Sequence, residues 1–461
     1  MNREKLGSRL GFILLSAGCA IGIGNVWKFP WMTGQYGGGI FVLIYLFFLI
    51  LLGVPVMTME FAMGRAAQKS PVRLYDELEP KGSKWHWHGY AAFAGNIILM
   101  MFYTNVAGWM LNYFVKTARG DFIGASPDEV GEIFNGMLGN PVTMIMFTAF
   151  VVALGFTVCS AGVKRGLERI TKFMMLALLA IMVVLAINSV FMEGGSEGLK
   201  FYLMPSLSKM REVGIANVIV GAMNQAFFTL SLGIGAMAIF GSYIGRERAL
   251  TGESINIAVL DTFVAIVSGL IIFPACSAYN IDVTSGPSLI FVTLPNVFEN
   301  IPLGRLWGSL FFIFMSFAAL STVLAVFENI ISCIMDMTGW TRKKTCLISG
   351  IAMFVLSLPC ALGFSVWSNV TPFGEGSGIM DLEDFAVSNI LLPLGSLIYV
   401  LFCTTRYGWG KKAFIKEANA GKGIKLPEKG FAAAALNLYM TYVLPVIITA
   451  IFVIGIVQFF K

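Results

Sequence analysis

The sequence predicts an all-α membrane protein with a five-plus-five inverted repeat, broken spans 1 and 6, and eleven transmembrane helices. Three observations predict this fold. Apolar residues make up 57% of the 461 residues and charged residues only 13%, about half the charged share of a soluble domain. Eleven stretches reach the ~18 apolar residues that a membrane-crossing helix needs. Two of these stretches are interrupted by glycine-rich breaks.

The apolar stretches define the spans in chain order. Several exceed the ~20 residues that cross the hydrocarbon, which indicates tilt or extension beyond the lipid. Strands of a membrane barrel would instead alternate apolar and polar residues over about ten positions. The predicted spans are residues 11–33, 39–62, 89–116, 141–159, 165–191, 216–243, 255–279, 304–337, 344–363, 385–404 and 435–459.

Each break lies in the middle of a span, where the backbone has no water to bond. The first covers residues 22–25 of span 1, and the second covers residues 231–235 of span 6. Unwound backbone at this depth is tolerated only where it is buried or lines a cavity. Because paired broken helices mark the binding site of secondary transporters, the breaks predict transport.

The spacing of the breaks predicts an internal repeat. Gly22 and Gly233 are 211 residues apart, so five spans separate equivalent elements. An odd number of spans per unit inverts the second unit in the membrane. We therefore expect residues 1–461 to form a single transporter domain. Its parts are repeat one at about 9–191, repeat two at about 216–404, and an extra span at 435–459.

The distribution of basic residues predicts the orientation. If the N-terminus is cytoplasmic, the inner segments hold 24 of the 32 Lys and Arg residues, in agreement with the positive-inside rule. Eleven spans then put the C-terminus outside. We expect a multi-pass protein of the cell inner (plasma) membrane, with the lipid bilayer as a partner. The net charge of +6 then reflects topology, and no nucleic-acid partner is expected.

Two motifs typical of enzymes are absent from the sequence. There is no Cys-x-x-Cys pair and no phosphate-binding G-x-x-x-x-G-K. The two histidines, His86 and His88, lie beside tryptophans in an inner loop, which favours an aromatic belt at the membrane surface over a metal site. We therefore expect a protein that is not an enzyme.

Side-chain oxygens beside the breaks indicate an ion and substrate site. Half-helix N-termini offer amides to an anion, and freed carbonyls suit a hard cation such as Na⁺. Asn25, Thr229 and Ser231 supply further oxygens, although helix capping would explain them as well. Charges inside spans are costly and functional by default. The acidic residues inside these spans are Glu60, Asp261 and Glu328.

Charged residues at the two ends of the site predict gates. Lys28 lies just outward of the first break and Asp384 opens span 10 from the outside, so a Lys–Asp pair would form an outer gate. Arg3 and Asp336, together with Tyr243, would form the inner counterpart. A structural ion pair would explain each charged pair as well.

The residues around both breaks resemble the neurotransmitter:sodium symporter family, most closely its bacterial hydrophobic amino-acid transporters. The resemblance extends from Arg3 to about Cys403. The motifs that carry it are RLGFIL at 9–14, AIGIGNVWKFP at 20–30, GGG at 37–39, Pro55, MEFAMGR at 59–65 and QAFFTLSLG at 225–233.

This resemblance implies a binding site for a hydrophobic L-amino acid. Backbone carbonyls would hold its amino group, namely those of Ala20, Phe228, Thr229 and Ser231. Its carboxylate would contact the amides of Gly22 and Gly24 and the hydroxyl of Tyr103. Phe228 would also be an aromatic lid. The side-chain pocket would be lined by Leu99, Ile234 and Val326.

The resemblance also implies two sodium sites. The first would use the substrate carboxylate together with Ala20, Asn25, Thr229 and Asp261. The second would use the carbonyls of Gly18 and Ile21 with three residues of span 8, namely Ala318, Ser321 and Thr322.

Four positions depart from the usual family pattern. Asp261 stands where the family usually has Asn, and Ala265 stands where chloride-dependent members have Ser. We expect the Asp261 carboxylate to supply the negative charge that chloride supplies elsewhere, and hence chloride-independent transport. Lys28 replaces a more common Arg and cannot form a bidentate fork with Asp384. Leu176 replaces a proline that is common in span 5.

Sodium-coupled symport by alternating access is therefore the favoured function. A biogenic amine is a poor substrate because span 1 has no acid near Cys19 and Ala20. One alternative is a proton-coupled amino-acid transporter or exchanger of the same architecture, which would lack the oxygens at both sodium positions. Another is a membrane sensor that binds an amino acid, which would be expected to carry an added signalling domain or long tail.

Overall fold

The structure is a computed structural model that describes residues 4–279, 288–299 and 301–460. These residues form helices joined by short loops. The β-type pairing among them is one isolated parallel bridge between Arg248 and Lys422. The predicted all-α class is confirmed. We call the face on which span 1 begins the inner face, in keeping with the predicted orientation.

Eleven spans account for the long apolar helices of the described residues. Span 1 bends by 56° at its break, between Arg9–Ala20 and Gly24–Gln35. Span 6 consists of Ile215–Thr229 and Ala236–Gly241, each too short to cross alone. The nine continuous spans are Gly39–Ala67, His86–Arg119, Pro141–Ser160, Val163–Val190, Leu250–Ala278, Gly304–Thr338, Arg342–Leu362, Ile379–Thr404 and Gly430–Val457.

Span 10 begins earlier than the hydropathy pattern predicts. Its first helix is Ile379–Phe385, so Asp384 lies inside the span instead of opening it. The carboxylate of Asp381 accepts a hydrogen bond from the Gly378 amide at 2.7 Å. An acidic residue in the first turn stabilises a helix N-terminus, and this polar turn is invisible to an apolar-window prediction.

The two breaks have different backbone geometry. In span 1 the helix ends at Ala20, and Ile21 adopts an extended conformation with φ −72° and ψ 97°. In span 6 three residues have positive φ, namely Ser231 at 51°, Gly233 at 97° and Gly235 at 73°. Glycine adopts such angles without steric cost, so the two glycines allow span 6 to unwind and restart.

Span 8 is at the centre of the bundle, and span 11 is at its edge. In the most apolar part of each helix, 83% of the residues of span 8 are buried but only 22% of those of span 11. Span 8 packs against spans 1, 3, 4 and 5. Residues of span 8 therefore face the break of span 1, whereas span 11 packs at the edge against spans 10 and 6.

A short helix covers the outer face, near the position where the sequence predicts a Pro- and Gly-bracketed element at 286–295. It spans Leu289–Glu299, whereas residues 286 and 287 lie outside the described residues. Phe291 stacks on Phe134 with ring centroids 5.1 Å apart and contacts Tyr113 at 4.9 Å. These aromatic contacts hold the helix on the bundle.

Close backbone packing between spans 2 and 6 predicts an effect of one substitution. A Cβ atom at Gly64 would lie 1.8 Å from the carbonyl oxygen of Ala238. Because backbone cannot rotate away, Gly64→Ala should destabilise the protein by at least about 1–3 kcal/mol. A lower midpoint of thermal unfolding in detergent would show this effect.

Gly136→Ala is the matched control for that measurement. Gly136 lies in the helix Pro127–Leu138, and a Cβ there would meet nothing within 4 Å. Replacing a helical glycine by alanine should stabilise this variant by about 0.5–1 kcal/mol. Equal midpoints for the two variants would contradict the close contact between spans 2 and 6.

Candidate functional site

A cavity lies where the breaks of spans 1 and 6 face spans 3, 8 and 10. The volume that the centre of a water-sized sphere can occupy in it is about 20 Å³, so the cavity is nearly closed. None of the side chains that line it is an Asp, Glu, Lys, Arg or His. The lining residues are Cys19, Ala20, Gly22, Gly24, Leu99, Tyr103, Phe228, Ser231, Ile234, Thr322 and Leu392.

Eight of the ten residues predicted to bind substrate line this cavity, and two do not. The hydroxyl of Thr229 points instead to Asp261. Val326 is fully buried in the core, one helical turn beyond Thr322 of the lining. The sequence prediction missed Leu392 because span 10 reaches the cavity only through tertiary packing. The eight lining residues are Ala20, Gly22, Gly24, Leu99, Tyr103, Phe228, Ser231 and Ile234.

The backbone of span 1 is open to the cavity at Gly22. A Cβ atom there would lie 2.3 Å from the hydroxyl oxygen of Tyr103 and 2.5 Å from that of Thr322. The Tyr103 hydroxyl accepts a hydrogen bond from the Ile23 amide at 3.0 Å. Any larger residue at position 22 would therefore fill the space in front of these polar groups.

Asp261 is the centre of a buried polar cluster at the first predicted sodium site. Asn25 Nδ2 donates to Asp261 Oδ1 at 2.8 Å, and the Thr229 hydroxyl donates to Oδ2 at 3.1 Å. Tyr45, which the sequence prediction missed, donates to Oδ2 at 3.5 Å. The structure thus brings together Asn25, Thr229 and Asp261, and Ala20 lines the adjoining cavity.

Oxygen atoms of spans 1 and 8 converge at the second predicted sodium site. The Ser321 hydroxyl donates to the carbonyls of Ala318 at 2.9 Å and Ile21 at 3.3 Å. The Thr322 hydroxyl lies 3.3 Å from the carbonyl of Gly18 and 3.5 Å from that of Ile21. All five predicted residues therefore supply oxygens to one cluster, and such a set suits a hard cation.

Three buried side chains satisfy the backbone at the two breaks. Glu60 accepts hydrogen bonds from the amides of Gly233 at 2.6 Å and Met237 at 3.2 Å. Asn96 donates to the carbonyl of Ile234 at 2.8 Å, and Gln225 donates to the carbonyl of Gly24 at 2.8 Å. The sequence singled out Glu60 by its charge, whereas nothing local distinguishes Asn96 or Gln225.

The predicted outer-gate residues are not paired with each other in this structure. The Lys28 ammonium lies over the Phe228 ring, 3.7 Å from its centroid. Asp384 instead accepts a hydrogen bond from the Ser388 hydroxyl at 2.7 Å. A lysine carries one flexible point charge, which can move to an aromatic face. Lys28 and Phe228 therefore form one unit above the cavity.

The inner-gate residues have other partners in the described part of the chain. Arg3 itself lies outside the described residues. Asp336 accepts a hydrogen bond from the Ser70 amide at 2.8 Å. The Tyr243 hydroxyl donates to Glu328 at 2.5 Å and bonds Ser332 at 2.6 Å. Tyr243 thus belongs to a buried polar cluster, in which Glu328 also forms an ion pair with Arg342.

The residues just before span 1 are bonded to several other spans on the inner face. The carboxylate of Glu4 accepts from the Val163 amide at 2.8 Å and pairs with Arg342 at 3.0 Å, and Arg342 also pairs with Glu328 at 2.7 Å. The remaining contacts are Leu6 N to the Tyr243 carbonyl at 3.2 Å, Gly7 N and Ser8 Oγ to Glu168 at 2.7 and 2.9 Å, and Arg9 to Glu253 at 2.9 Å.

Span 5 contributes to this inner cluster through a wide helical turn. Its first turn, Val163–Glu168, is a π-helix that follows Gly162 at φ +94°. Leu176, which replaces the proline common in the resembling family, is 50% exposed on the outer surface of the bundle. The irregular part of span 5 therefore lies at its inner end.

The histidines only partly match the predicted aromatic belt. Trp87 is 65% exposed, as expected at a membrane surface. His88 is buried, and its Nδ1 lies 2.6 Å from the Tyr75 hydroxyl. His86 Nδ1 lies 2.7 Å from Glu79. For His88 the belt prediction is wrong, because the helix that carries it packs on the helix of Tyr75.

Comparison with known proteins gives a consistent family assignment. Residues 3–123 and 134–461 match the model of the sodium:neurotransmitter symporter family. An uncharacterized sodium-dependent transporter of Bacillus subtilis, YhdH, is 35% identical over 419 residues, which cover 90% of this chain and 91% of the relative. The sodium- and chloride-dependent taurine transporter of Rattus norvegicus is 25% identical over 79% of this chain and 65% of the relative.

A solved structure is similar over nearly the whole chain. It is the crystal structure of MhsT in complex with L-phenylalanine, with 35% sequence identity and a TM-score of 0.87. The similarity covers 98% of this chain and 99% of MhsT.

The Glu60 contacts predict that Glu60→Gln will loosen the break of span 6. The glutamine would lose the charge that strengthens two hydrogen bonds, at a cost of about 1.5–3 kcal/mol. Hydrogen exchange at the amides of Gly233 and Met237 should accelerate by about tenfold to a hundredfold.

Glu77→Gln is the control for this experiment. Its side chain is 53% exposed and forms only a long contact with Lys69 at 3.8 Å. Surface changes of this kind alter stability by less than about 0.5 kcal/mol. Unchanged exchange at Gly233 and Met237 in Glu60→Gln would show that the carboxylate does not hold the break.

Proposed function

This chain belongs to the sodium:neurotransmitter symporter family, and we propose that it uses a sodium gradient to import a hydrophobic L-amino acid. Membership makes the chain a multi-pass membrane transporter and not an enzyme. The observation that carries the finer proposal is an uncharged cavity between two clusters of oxygen ligands. A site of this kind suits a substrate that brings its own carboxylate and an apolar side chain.

Backbone groups of the two breaks would hold the amino-acid moiety. Gly22, Gly24 and Tyr103 line the cavity, and we assign the amides of the two glycines and the Tyr103 hydroxyl to the carboxylate. Carbonyls near the broken ends suit an ammonium group. The carbonyls that we assign to this role are those of Ala20, Phe228, Thr229 and Ser231.

The apolar side of the cavity would hold the substrate side chain. Leu99, Ile234 and Leu392 line it, and the Phe228 ring covers it. The absence of an acid from the lining argues against a cationic amine without a carboxylate. Val326 would pack behind the apolar lining residues and so help to shape the side-chain pocket. The cocrystallised L-phenylalanine of MhsT supports an aliphatic or aromatic L-amino acid as substrate.

Two sodium ions would bind beside the substrate. We assign the first to the Asp261 cluster and to the substrate carboxylate, and the second to the oxygen cluster between spans 1 and 8. Without a cation, the substrate carboxylate and Asp261 would repel each other in a dry interior. Sodium in the first site removes this repulsion, which couples the binding of ion and substrate.

Chloride would not be required. Asp261 is fully buried and receives hydrogen bonds from Asn25, Thr229 and Tyr45. A fixed carboxylate at this place supplies the negative charge that an anion would supply. Ala265, four residues on, offers no hydroxyl to an anion. The relative YhdH is named as sodium-dependent, whereas the rat taurine transporter is named as sodium- and chloride-dependent.

Alternating access would expose the site to each side in turn. On the outside, Phe228, Lys28 and Asp384 would close over the cavity, and on the inside Arg3, Asp336 and Tyr243 would close below it. The moving parts would be the repeats at 9–191 and 216–404, with the span at 435–459 outside both. We place the protein in the plasma membrane with a cytoplasmic N-terminus and an external C-terminus.

Uptake into proteoliposomes tests this proposal directly. A panel of radiolabelled L-amino acids is offered with and without an inward sodium gradient. Sodium-driven accumulation of Leu, Val, Phe, Tyr or Trp is the expected result. Accumulation driven by a proton gradient, or exchange without a sodium effect, would contradict the sodium assignment and favour a proton-coupled transporter or exchanger.

Asp261→Ala tests both the sodium and the chloride parts of the proposal. Wild-type uptake should be unchanged when gluconate replaces chloride, because the carboxylate makes the anion unnecessary. The variant should show a weaker dependence of substrate binding on sodium concentration, measured by equilibrium binding. A variant with the wild-type sodium response would remove Asp261 from the site, and collapse of wild-type uptake in gluconate would overturn chloride independence.

A further inference from the structure

A long groove runs between spans 4 and 9 on the lateral surface of the helix bundle, the side that would face lipid. It is lined by one face of each helix, at positions that follow the helical spacing of three and four residues. The groove residues are Ala149, Val152, Ala153, Phe156, Thr157 and Ser160 of span 4, and Lys343, Cys346, Leu347, Gly350, Ile351 and Phe354 of span 9. It is separate from the substrate cavity, which neither span lines.

The length of the groove corresponds to one leaflet of a bilayer. Ser160 and Lys343 are at its inner end, and Ala149 and Phe354 are at the other end. The lining residues span twelve positions of each helix, and the eleven helical steps between its ends cover about 16 Å, which is about half of the ~30 Å hydrocarbon thickness. A lipid acyl chain of the inner leaflet would therefore fit along its whole length.

The walls and floor of the groove suit an apolar chain. Leu347 and Ile351 are 67% and 60% exposed along its rim. Phe156 forms the floor and is held in place by stacking on Phe327, with ring centroids 4.1 Å apart. Ala153 and Gly350 lie between the larger side chains and are too small to obstruct the groove, so the groove is continuous.

The inner end of the groove carries a lysine that has no acidic partner among the described residues. Lys343 is exposed, and the neighbouring Arg342 is already paired with Glu4 and Glu328. Lys344 lies over the Trp340 ring at 4.5 Å. An unpaired ammonium at the mouth of an apolar groove is complementary to a lipid whose headgroup is an anionic phosphate.

We propose that the groove between spans 4 and 9 is a binding site for an anionic phospholipid of the inner leaflet. One acyl chain lies along Phe156, Gly350 and Ile351, and the headgroup phosphate contacts Lys343. The inference rests on the membrane orientation given in the proposed function. A second copy of the chain fits this face less well, because its apolar span would bury Lys343 without a counter-ion.

Native mass spectrometry of the detergent-purified protein tests the headgroup contact. The probes are palmitoyl-oleoyl phosphatidylglycerol and the phosphatidylcholine with the same acyl chains. The wild type should retain more of the anionic lipid, and Lys343→Gln should reduce the ratio of the two by about fivefold. Lys412→Gln, which removes an exposed lysine of the inner loop at 405–430, should leave the ratio unchanged. Equal retention of both lipids by the wild type, or equal effects of the two variants, would overturn the proposal.

A groove-filling variant tests the acyl-chain contact separately. Ala153→Leu should lower retention of both lipids, whereas Ala352→Leu, which is also exposed but outside the groove, should not. Light scattering on the same samples reports the oligomeric state. A change from dimer to monomer in Ala153→Leu without loss of lipid would assign the face to a second copy and overturn the proposal. Sodium-driven uptake that persists while lipid selectivity is absent would refute this inference alone and leave the proposed transport function intact.

Discussion

The rest of the structure depends on one constraint: the backbone amides and carbonyls of the unwound segments need hydrogen-bond partners inside an apolar bundle. A break in a span releases amides and carbonyls that cannot reach water. Here Glu60 binds two of the released amides of span 6, and Gln225 and Asn96 bind released carbonyls. At the break of span 1 the Gly22 amide donates to Asn25 and the Ile23 amide donates to Tyr103, so side chains at the site also stabilise the fold.

The same constraint explains why charge is kept out of the cavity lining. Asp261 lies one layer behind the cavity, where Asn25, Thr229 and Tyr45 all donate to it. Asp261 therefore reaches the site through those side chains and not by direct contact with the cavity. This arrangement places an apolar pocket next to a buried carboxyl group, which is the combination that our proposal of joint sodium and amino-acid binding requires.

Sequence patterns predicted the parts of the site that depend on local chemistry. Glycines located both breaks, and hydropathy located all eleven spans. The failures involve contacts between distant segments. The arrival of Leu392 from span 10 and the position of Lys28 over Phe228 both follow from tertiary packing. Periodicity also missed the start of span 10, because its first turn is polar and capped by Asp381.

The short segment before span 1 has a consequence for leakage through the protein. Residues 4–9 contact spans 5, 7 and 9 and the end of span 6 within six consecutive positions. Neighbouring residues on so short a piece of chain cannot separate from their partners one at a time. In the alternating access that we propose, the inner end would therefore open cooperatively, and partly open states would be rare. A cell that stores energy as a sodium gradient would benefit, because few ions would leak through the protein between transport cycles.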